Sequence, residues 1–585
     1  MSILDTVRMV ARAGAALPEI AAGRLNHDRL LDRCADRYPN VIALAYLDER
    51  YRYRDLRARA DQYARFFADQ GIRKGDTVAI NIDNRPDFIF AFHGLQRVGA
   101  IAALINTNLS GIPLAHVVRI ANAKLIVFGS EHADKLEALV KEIPELDLSN
   151  NVFVQQESPD APLCGARSLN AAVDSASTAR LPQLPFNGKE CCAYIYTSGT
   201  TGLPKAAVMT HYKLAGAGSM AGYALHQVSP GELIYVTLPL YHSNALMLGW
   251  TAALGTGAGI ALRRKFSASE FFPDVRRFGA KSFVYIGELC RYLVNSPQRD
   301  GERIHQLRGC TGNGMRPDVW ETFQKRFAIP VIREFYGATE GTAALINFTG
   351  RPGMIGKLTP GIAIVRCDSE SGEPIRNARG YCEKVKPGET GLLLGAISRL
   401  TVFDGYLDRK ATQKKVMTDV FSRGDRYFDT GDLVKLHEER WVSFVDRVGD
   451  TFRWKGENVS TNEVAEVVNA GPGVVESNVY GVEIAGCEGR AGMASIHVVD
   501  EFDPDALARF VAEQLPAFQR PLFIRVKQKE IEVTGTFKHQ KVKARSERFD
   551  PAQVEDPLYY LAGDAYRPID ETIFRSIESG EIRPG

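Results

Sequence analysis

The sequence predicts an α/β protein built from more than one domain. Apolar runs of β character alternate with helical segments along most of the chain, the pattern of strands separated by crossover helices. At 585 residues the chain exceeds what one hydrophobic core accommodates. Near residue 450 its character changes, from the charge- and glycine-dense FVDRVGDTFRWKGENVS to a compact succession of helix and strands.

The elements follow in order. RYRDLRARADQYARFFADQG (52–71) reads as a helix closed by a glycine, and DTVAINI (76–82) as the strand after it. PDFIFAFHGLQRVGA (86–100) leads into the strand IAALIN, and AKLIVFG is a further short buried strand. Residues 233–262 contain no Asp, Glu, Lys or Arg and are long enough to suggest a membrane span. Pro239, His242, Ser243 and Asn244 interrupt them, so the expectation is a core of strand LIYVTL, polar loop YHSN, helix ALMLGWTAAL and strand AGIAL. Residues 351–360 read as a loop or turn. After residue 450 come a helix, strands VVESNVYGVEI and MASIHVV, and helix DPDALARFVAEQL, a small α+β unit of ordinary domain size.

Composition narrows the class. Hydrophobic residues make up 45% and charged residues 24%, as in soluble globular enzymes. Lys+Arg 72 against Asp+Glu 70 gives a net charge of +2, which does not advertise nucleic acid. The nine cysteines are dispersed and lack metal spacing, which argues for a reducing compartment. At the N-terminus Asp5, Arg8 and Arg12 interrupt any signal-peptide core. Ile3, Leu4, Val7, Val10 and Leu17 share one helical face, which either packs on its own domain or lies on a membrane surface.

The chemistry begins at YTSGTTGLPKAAV (196–208). Counted from Gly199, Lys205 stands where a Walker A lysine would. Pro204 replaces the second glycine and Ala206 the metal-binding hydroxyl, however, so neither the backbone donor nor the metal ligand is present. The flanks CCAYIY and KAAVMT read as strands, whereas a Walker loop opens a helix. What remains is a strand–loop–strand carrying Thr197, Ser198, Thr200, Thr201 and Lys205, donors suited to phosphates that later depart.

Other segments converge on a nucleotide. In EFYGATEG (334–341), Tyr336 has a face for a purine, Thr339 a hydroxyl for an α-phosphate and Glu340 a carboxylate for Mg²⁺. YFDTGDL carries Asp429 and Asp432, of which a carboxylate in a tight turn accepts both ribose hydroxyls. DRVGD offers Arg447, and the distal GTFKHQK offers Lys538.

TSGTTGLPK, YGATEG, TGDL and a distal TGTFK in this order resemble the adenylate-forming superfamily of acyl-CoA synthetases, luciferases and peptide-synthetase adenylation domains. LPLYHSNALMLG, KFSASEFFPDVRRF, YIGELCRYL, GNGMRPDVWETFQKRF, DRVGDTFRWKGENVST and VTGTFKHQKVK narrow the resemblance to the fatty-acid transport protein / very-long-chain acyl-CoA synthetase family, from about residue 30 to the end. The resemblance implies an α/β adenylate-forming fold. A large N-terminal domain (1–448) of two α/β subdomains plus a small β-barrel would bind ATP and acyl group, followed by a mobile α+β C-terminal lid (449–585) hinged at Gly449. It implies ATP-dependent ligation of a long- or very-long-chain fatty acid to coenzyme A through an acyl-adenylate, with Mg²⁺ as cofactor and ATP and CoA as co-substrates.

Residue by residue, the same resemblance places Tyr196, Thr197, Ser198, Gly199, Thr200, Thr201, Gly202 and Lys205 around ATP and the leaving pyrophosphate. Tyr336 and Gly337 fall at adenine, Asp432 at ribose, and Arg447 at ribose or phosphate. Gly312, Asn313 and Gly314 run beside nucleotide and acyl chain. Thr339 and Glu340 are catalytic, Glu340 also as the Mg²⁺ ligand, and Gly456 approaches the CoA channel. The catalytic lysine is Lys538. Because the motif reads TGTFK, Lys541 and Lys543 stand as alternative registers. His242 is either a gate of the acyl site or a buried satisfied histidine, and Tyr285 and Gly287 either line the acyl tunnel or belong to the core. Two further readings stay open: a ligase for a sterol-type or other carboxylic acid, and a membrane-associated uptake protein acting by activation. The expected location is cytoplasmic, with peripheral contact at the inner face of a membrane as an alternative. The expected partners are fatty acid, ATP and CoA, without nucleic acid.

Overall fold

The structure is a computed structural model. It describes residues 22–199, 202–338, 341–368, 371–398, 403–455, 457–487, 489–528 and 541–584, together with 11, 14, 18–20, 401 and 531; for Ser198, Gly199, Gly202, Asn458 and Val542 only the backbone is described. The apolar N-terminal positions 3, 4, 7, 10 and 17 lie outside these residues.

Among the described residues the strands form five sheets. The largest has eight strands, in the order Ala344–Asn347, Ile332–Gly337, Gly309–Asn313, Ser282–Ile286, Leu233–Val236, Gly259–Leu262, Ile42–Tyr46 and Glu49–Arg52. Its two edge pairings are antiparallel and the inner ones parallel. Parallel strands covered by helices on both faces read as unbroken apolar runs, and LIYV and IALAY do so. A seven-stranded sheet is likewise parallel from Arg167–Ser168 to Cys191–Gly199 and ends in the antiparallel hairpin Cys191–Gly199/Gly202–Thr210. Helices Tyr53–Asp69 and Pro86–Val98 fall where the periodicity puts them. They pack in the main core with strands of both sheets.

The charge-free stretch is a core. Strand Leu233–Val236, a π-helix Asn244–Thr251 continuing as α-helix Ala252–Thr256, and strand Gly259–Leu262 reproduce the expected order, and the helical part is almost wholly buried. The π geometry is not legible in the sequence. Two further π-helical segments, Tyr212–Ala217 and Gly222–His226, accompany it. Among the described residues no helix is long and apolar enough to cross a membrane.

The small barrel is a six-stranded antiparallel sheet, running Gly356–Lys357, Trp441–Arg447, Arg426–Leu436, Thr390–Ala396, Ile362–Val365, with Val416–Thr418 beside Arg426–Leu436. Its two end strands do not pair with each other, so it is a half-barrel. Strand Gly356–Lys357 corrects the reading of 351–360 as loop: two residues without apolar alternation give no strand signal, and pairing with Trp441–Val442 makes one. Beyond a short hairpin, Phe452–Trp454 with Glu457–Val459, lies a five-stranded sheet from Val474–Val482 to Ala565–Pro568 with its own hydrophobic core.

Candidate active site

Parallel pairing sends the carboxyl ends of the inner strands of the eight-stranded sheet to one edge, where open α/β sheets bind ligands. That edge collects Tyr285, Gly312 with Asn313, and Tyr336 with Gly337, each at or near the end of its strand. The loop carrying His242 follows the neighbouring strand.

The turns there are closely packed. A Cβ on Gly287 would lie 1.7 Å from the Gly314 carbonyl oxygen, and one on Gly312 would lie 2.0 Å from the Tyr285 carbonyl oxygen. Only glycine fits at either position. Gly314 is exposed at φ +77°. Asn313 is half-buried and its Oδ1 accepts from Nδ2 of Asn244, 2.8 Å away, at the start of the π-helix. His242, two residues earlier and half-buried, packs at a tilt against Tyr241 with ring centroids 4.6 Å apart.

The nucleotide candidates meet where this edge abuts the half-barrel. The Tyr336 hydroxyl donates to Oδ2 of Asp432, and Nε of Arg447 lies 3.4 Å from Oδ1 of the same carboxylate. Asp432 and Arg447 are direct partners on neighbouring antiparallel strands. Burial first, and the Asp432 charge second, push the Tyr336 phenol well above its ordinary value, so it stays a donor. Of the two acids in YFDTGDL, Asp429 is spent locally, accepting from the Gly431 amide at 2.8 Å, while Asp432 faces Tyr336.

The hairpin is the strand–loop–strand expected, with Thr197 opposite Lys205 and Gly199 opposite Gly202. The Lys205 ammonium sits 5.8 Å from the Tyr406 ring centroid. Residues 405–407 continue the hairpin's edge by backbone bonds, Val208 amide to Gly405 carbonyl and Leu407 amide to Ala206 carbonyl, each 2.9 Å. Lys213, just past the hairpin, donates to the Gly341 carbonyl at 3.2 Å and thereby ties this region to the turn after Glu340. Sequence reasoning missed Lys213, because nothing in its spacing from Lys205 marks it.

Tyr196 departs from its expected place at ATP. Its side chain is buried and its hydroxyl donates to the Val117 carbonyl at 3.1 Å, because strand alternation turns it into the core. The open alternative at Tyr285 is decided for the core: it is fully buried, with its hydroxyl 3.0 Å from Oε2 of Glu334. Thr200, Thr201, Thr339, Glu340, Gly456 and Lys538 lie outside the described residues, as do the side chains at 198, 199 and 202.

The register alternatives to Lys538 are described. Lys541 Nζ donates to Thr461 Oγ1 at 2.7 Å and lies 3.7 Å from Asp450. Lys543 is solvent-facing, 3.7 Å from Glu547. One helical turn beyond Lys541, Arg545 binds the Gly449 carbonyl at 3.1 Å and the Asp450 carboxylate at 2.9 Å. Gly449 itself has φ +84° and open space where a Cβ would be. Proline cannot adopt that angle. Gly449→Pro is therefore expected to exclude the observed arrangement and to suppress whichever half-reaction uses it, sparing the other. Rates of acyl-adenylate formation and of thioester formation, measured separately, check this; both at wild-type level would move the hinge elsewhere.

A family profile described as "AMP-binding enzyme" matches residues 31–407. Long-chain fatty acid transport protein 2 of Rattus norvegicus is 41% identical over 563 residues, covering 93% of this chain and 89% of its own. Medium/long-chain-fatty-acid–CoA ligase FadD6 of Mycobacterium tuberculosis is 40% identical over 538 residues, covering 91% and 87%. The crystal structure of the anthranilate CoA ligase AuaEII with anthranoyl-AMP superposes with a TM-score of 0.75, covering 89% of this chain and 97% of that one, at 21% identity. At that identity the likeness concerns the fold.

Proposed function

The chain belongs to the family of AMP-binding enzymes, and from that premise we propose that it ligates long-chain fatty acids to coenzyme A through an acyl-adenylate. The observation that carries this reading is the convergence of Tyr336, Asp432 and Arg447 at the carboxyl edge of a parallel sheet, beside the hydroxyl-rich hairpin. In the first half-reaction the fatty carboxylate attacks the α-phosphate of ATP. A carboxylate–phosphate anhydride bond forms and the bond to pyrophosphate breaks. In the second, the CoA thiol attacks the acyl carbon, AMP departs and the thiol proton is released.

Each protein group answers a physical problem in that sequence. Both reactants are anionic, so cations must lower their repulsion. Lys538 does so at the α-phosphate, and Lys205 with the hairpin hydroxyls does so at the leaving pyrophosphate. Asp432 accepts the ribose hydroxyls while Arg447 and Tyr336 hold its carboxylate in place. Tyr336 and Gly337 form one wall of the adenine site. Bound Mg²⁺ supplies phosphate charge neutralisation; its assigned ligand Glu340 lies outside the described residues, and Lys213 anchors the adjoining Gly341.

The names of the relatives support an aliphatic substrate. Residues 233–262 supply the apolar surroundings such a chain requires. Each buried methylene contributes about 0.8 kcal/mol, so activity at limiting acid is expected to climb with chain length and then level off. A CoA-dependent AMP-release assay across acids from acetate to very long chains tests both reaction and substrate class. Equal activity on acetate and palmitate would overturn the long-chain assignment, and no AMP release with any acid would overturn the ligase reading. The word "transport" in the rat relative's name supports uptake by activation, in which ligation traps an acid that has crossed the bilayer. We place the protein on the cytoplasmic side accordingly, with peripheral membrane contact.

A further inference from the structure

Glu334 stands in strand Ile332–Gly337, two residues before Tyr336 and on the same strand face, and it is only 2% exposed. Its Oε1 accepts from the Met315 amide at 2.6 Å, and its Oε2 lies 3.0 Å from the Tyr285 hydroxyl. The first contact ends the Gly312–Met315 turn. The second reaches the strand that runs into Gly287, whose backbone touches that same turn. One carboxyl group thus joins three segments of the site's edge.

We propose that Glu334 is a positioning residue that holds the Gly312–Met315 turn and the Tyr285–Gly287 junction in register with Tyr336, and so shapes the nucleotide site. This rests on the nucleotide-binding reading given above.

The geometry also says in which form the group works. No cation faces the carboxyl among the described residues. Arg333, next in the chain, donates instead to the Leu225 carbonyl at 3.0 Å. The titratable and charged groups around it are Tyr285, Cys290, Cys310, Arg333 and, beyond Cys290, Glu288. A buried carboxylate without a counter-charge takes up a proton. In the structure the Tyr285 hydroxyl donates to Oε2; with Glu334 neutral the bond reverses, the carboxyl donating to Tyr285 Oη while the phenol turns to the Arg333 carbonyl 3.4 Å away. Both carboxyl oxygens and the phenol then have partners. Burial accordingly raises the Glu334 carboxyl to about 8, partly offset by the amide and phenol bonds.

The sign follows. A raised carboxyl favours the folded arrangement while protonated, and that contribution is lost as pH rises through about 8. Glutamine reproduces the neutral acid, with its carbonyl accepting from Met315 and its amide donating to Tyr285, and it does not titrate.

The test is equilibrium ATP binding by full-length protein, without acid or CoA, from pH 6.5 to 9.5. Wild type is expected to lose affinity by up to about tenfold per unit above pH 8. Glu334→Gln is expected to match wild type within about twofold at pH 7 and to lack that limb, whereas Glu334→Ala binds at least tenfold more weakly throughout. A wild type and Glu334→Gln with parallel pH profiles would overturn the proposal alone. A wild type that binds no ATP at any pH would overturn the nucleotide reading, and the proposal with it.

Discussion

Replacing Asp432 by alanine is expected to weaken nucleotide binding by roughly 10²–10⁴-fold, since two charge-assisted bonds to ribose hydroxyls contribute about 1.5–3 kcal/mol each. The structure adds a second consequence. Asp432 is the acceptor for the Tyr336 hydroxyl and the ion-pair partner of Arg447. On the proposed reading alanine therefore removes a ribose acceptor and also frees the Tyr336 hydroxyl beside the adenine site. The fold should survive, because the Arg447 side chain is 48% exposed and can return to water. Asp432→Asn separates the contributions. It retains an oxygen for Tyr336 but loses the charge, so it should fall between wild type and alanine. ATP affinity measured beside thermal unfolding checks the set. Unchanged affinity in Asp432→Ala would assign Asp432 another role, and loss of folding in both variants would make the Tyr336–Asp432 contact structural.

Lys538 carries the other large effect. A single well-placed donor to developing charge is worth about 10²–10³-fold in rate. Lys538→Ala should therefore nearly abolish acyl-adenylate formation from acid and ATP, while supplied acyl-adenylate and CoA still give thioester. The structure sharpens the control. Lys541 is engaged with Thr461 and Asp450, and its nearest acids are Asp446 and Asp450 on either side of Gly449. Burial lowers its ammonium group, and those two carboxylates oppose that shift. Lys541→Ala should thus leave the buried Asp446 without its neighbouring cation, while Arg545 still pairs with Asp450, and should disturb both half-reactions moderately, without the selective loss expected at Lys538. Lys543→Ala, at a solvent-facing position, should be close to silent. A selective adenylation defect in Lys541→Ala, with Lys538→Ala active, would shift the catalytic register by three residues.

The α/β class, the order of most elements and the segments that build the site are legible in the residues alone. That is because those signals are local. Continuous apolar runs such as LIVFG, the breaker-rich TSGTTGLP and the turn residues of YGATEG need no distant partner to be read. The sequence could not decide which way a side chain points at a junction. Tyr196 belongs to a nucleotide motif, yet strand alternation sends its ring into the core. Tyr285 was open between tunnel and core until its hydroxyl met Glu334. Asp429 and Asp432 share one strand, and it is the register of that strand that places Asp432, not Asp429, opposite Arg447 and against the Tyr336 hydroxyl. Lys213, Glu334 and the Lys541–Asp450–Arg545 cluster act across long separations in sequence, where periodicity carries no information. Their roles exist only once parallel pairing and the half-barrel bring distant backbone ends within hydrogen-bonding distance, a condition of tertiary geometry rather than of local residue pattern.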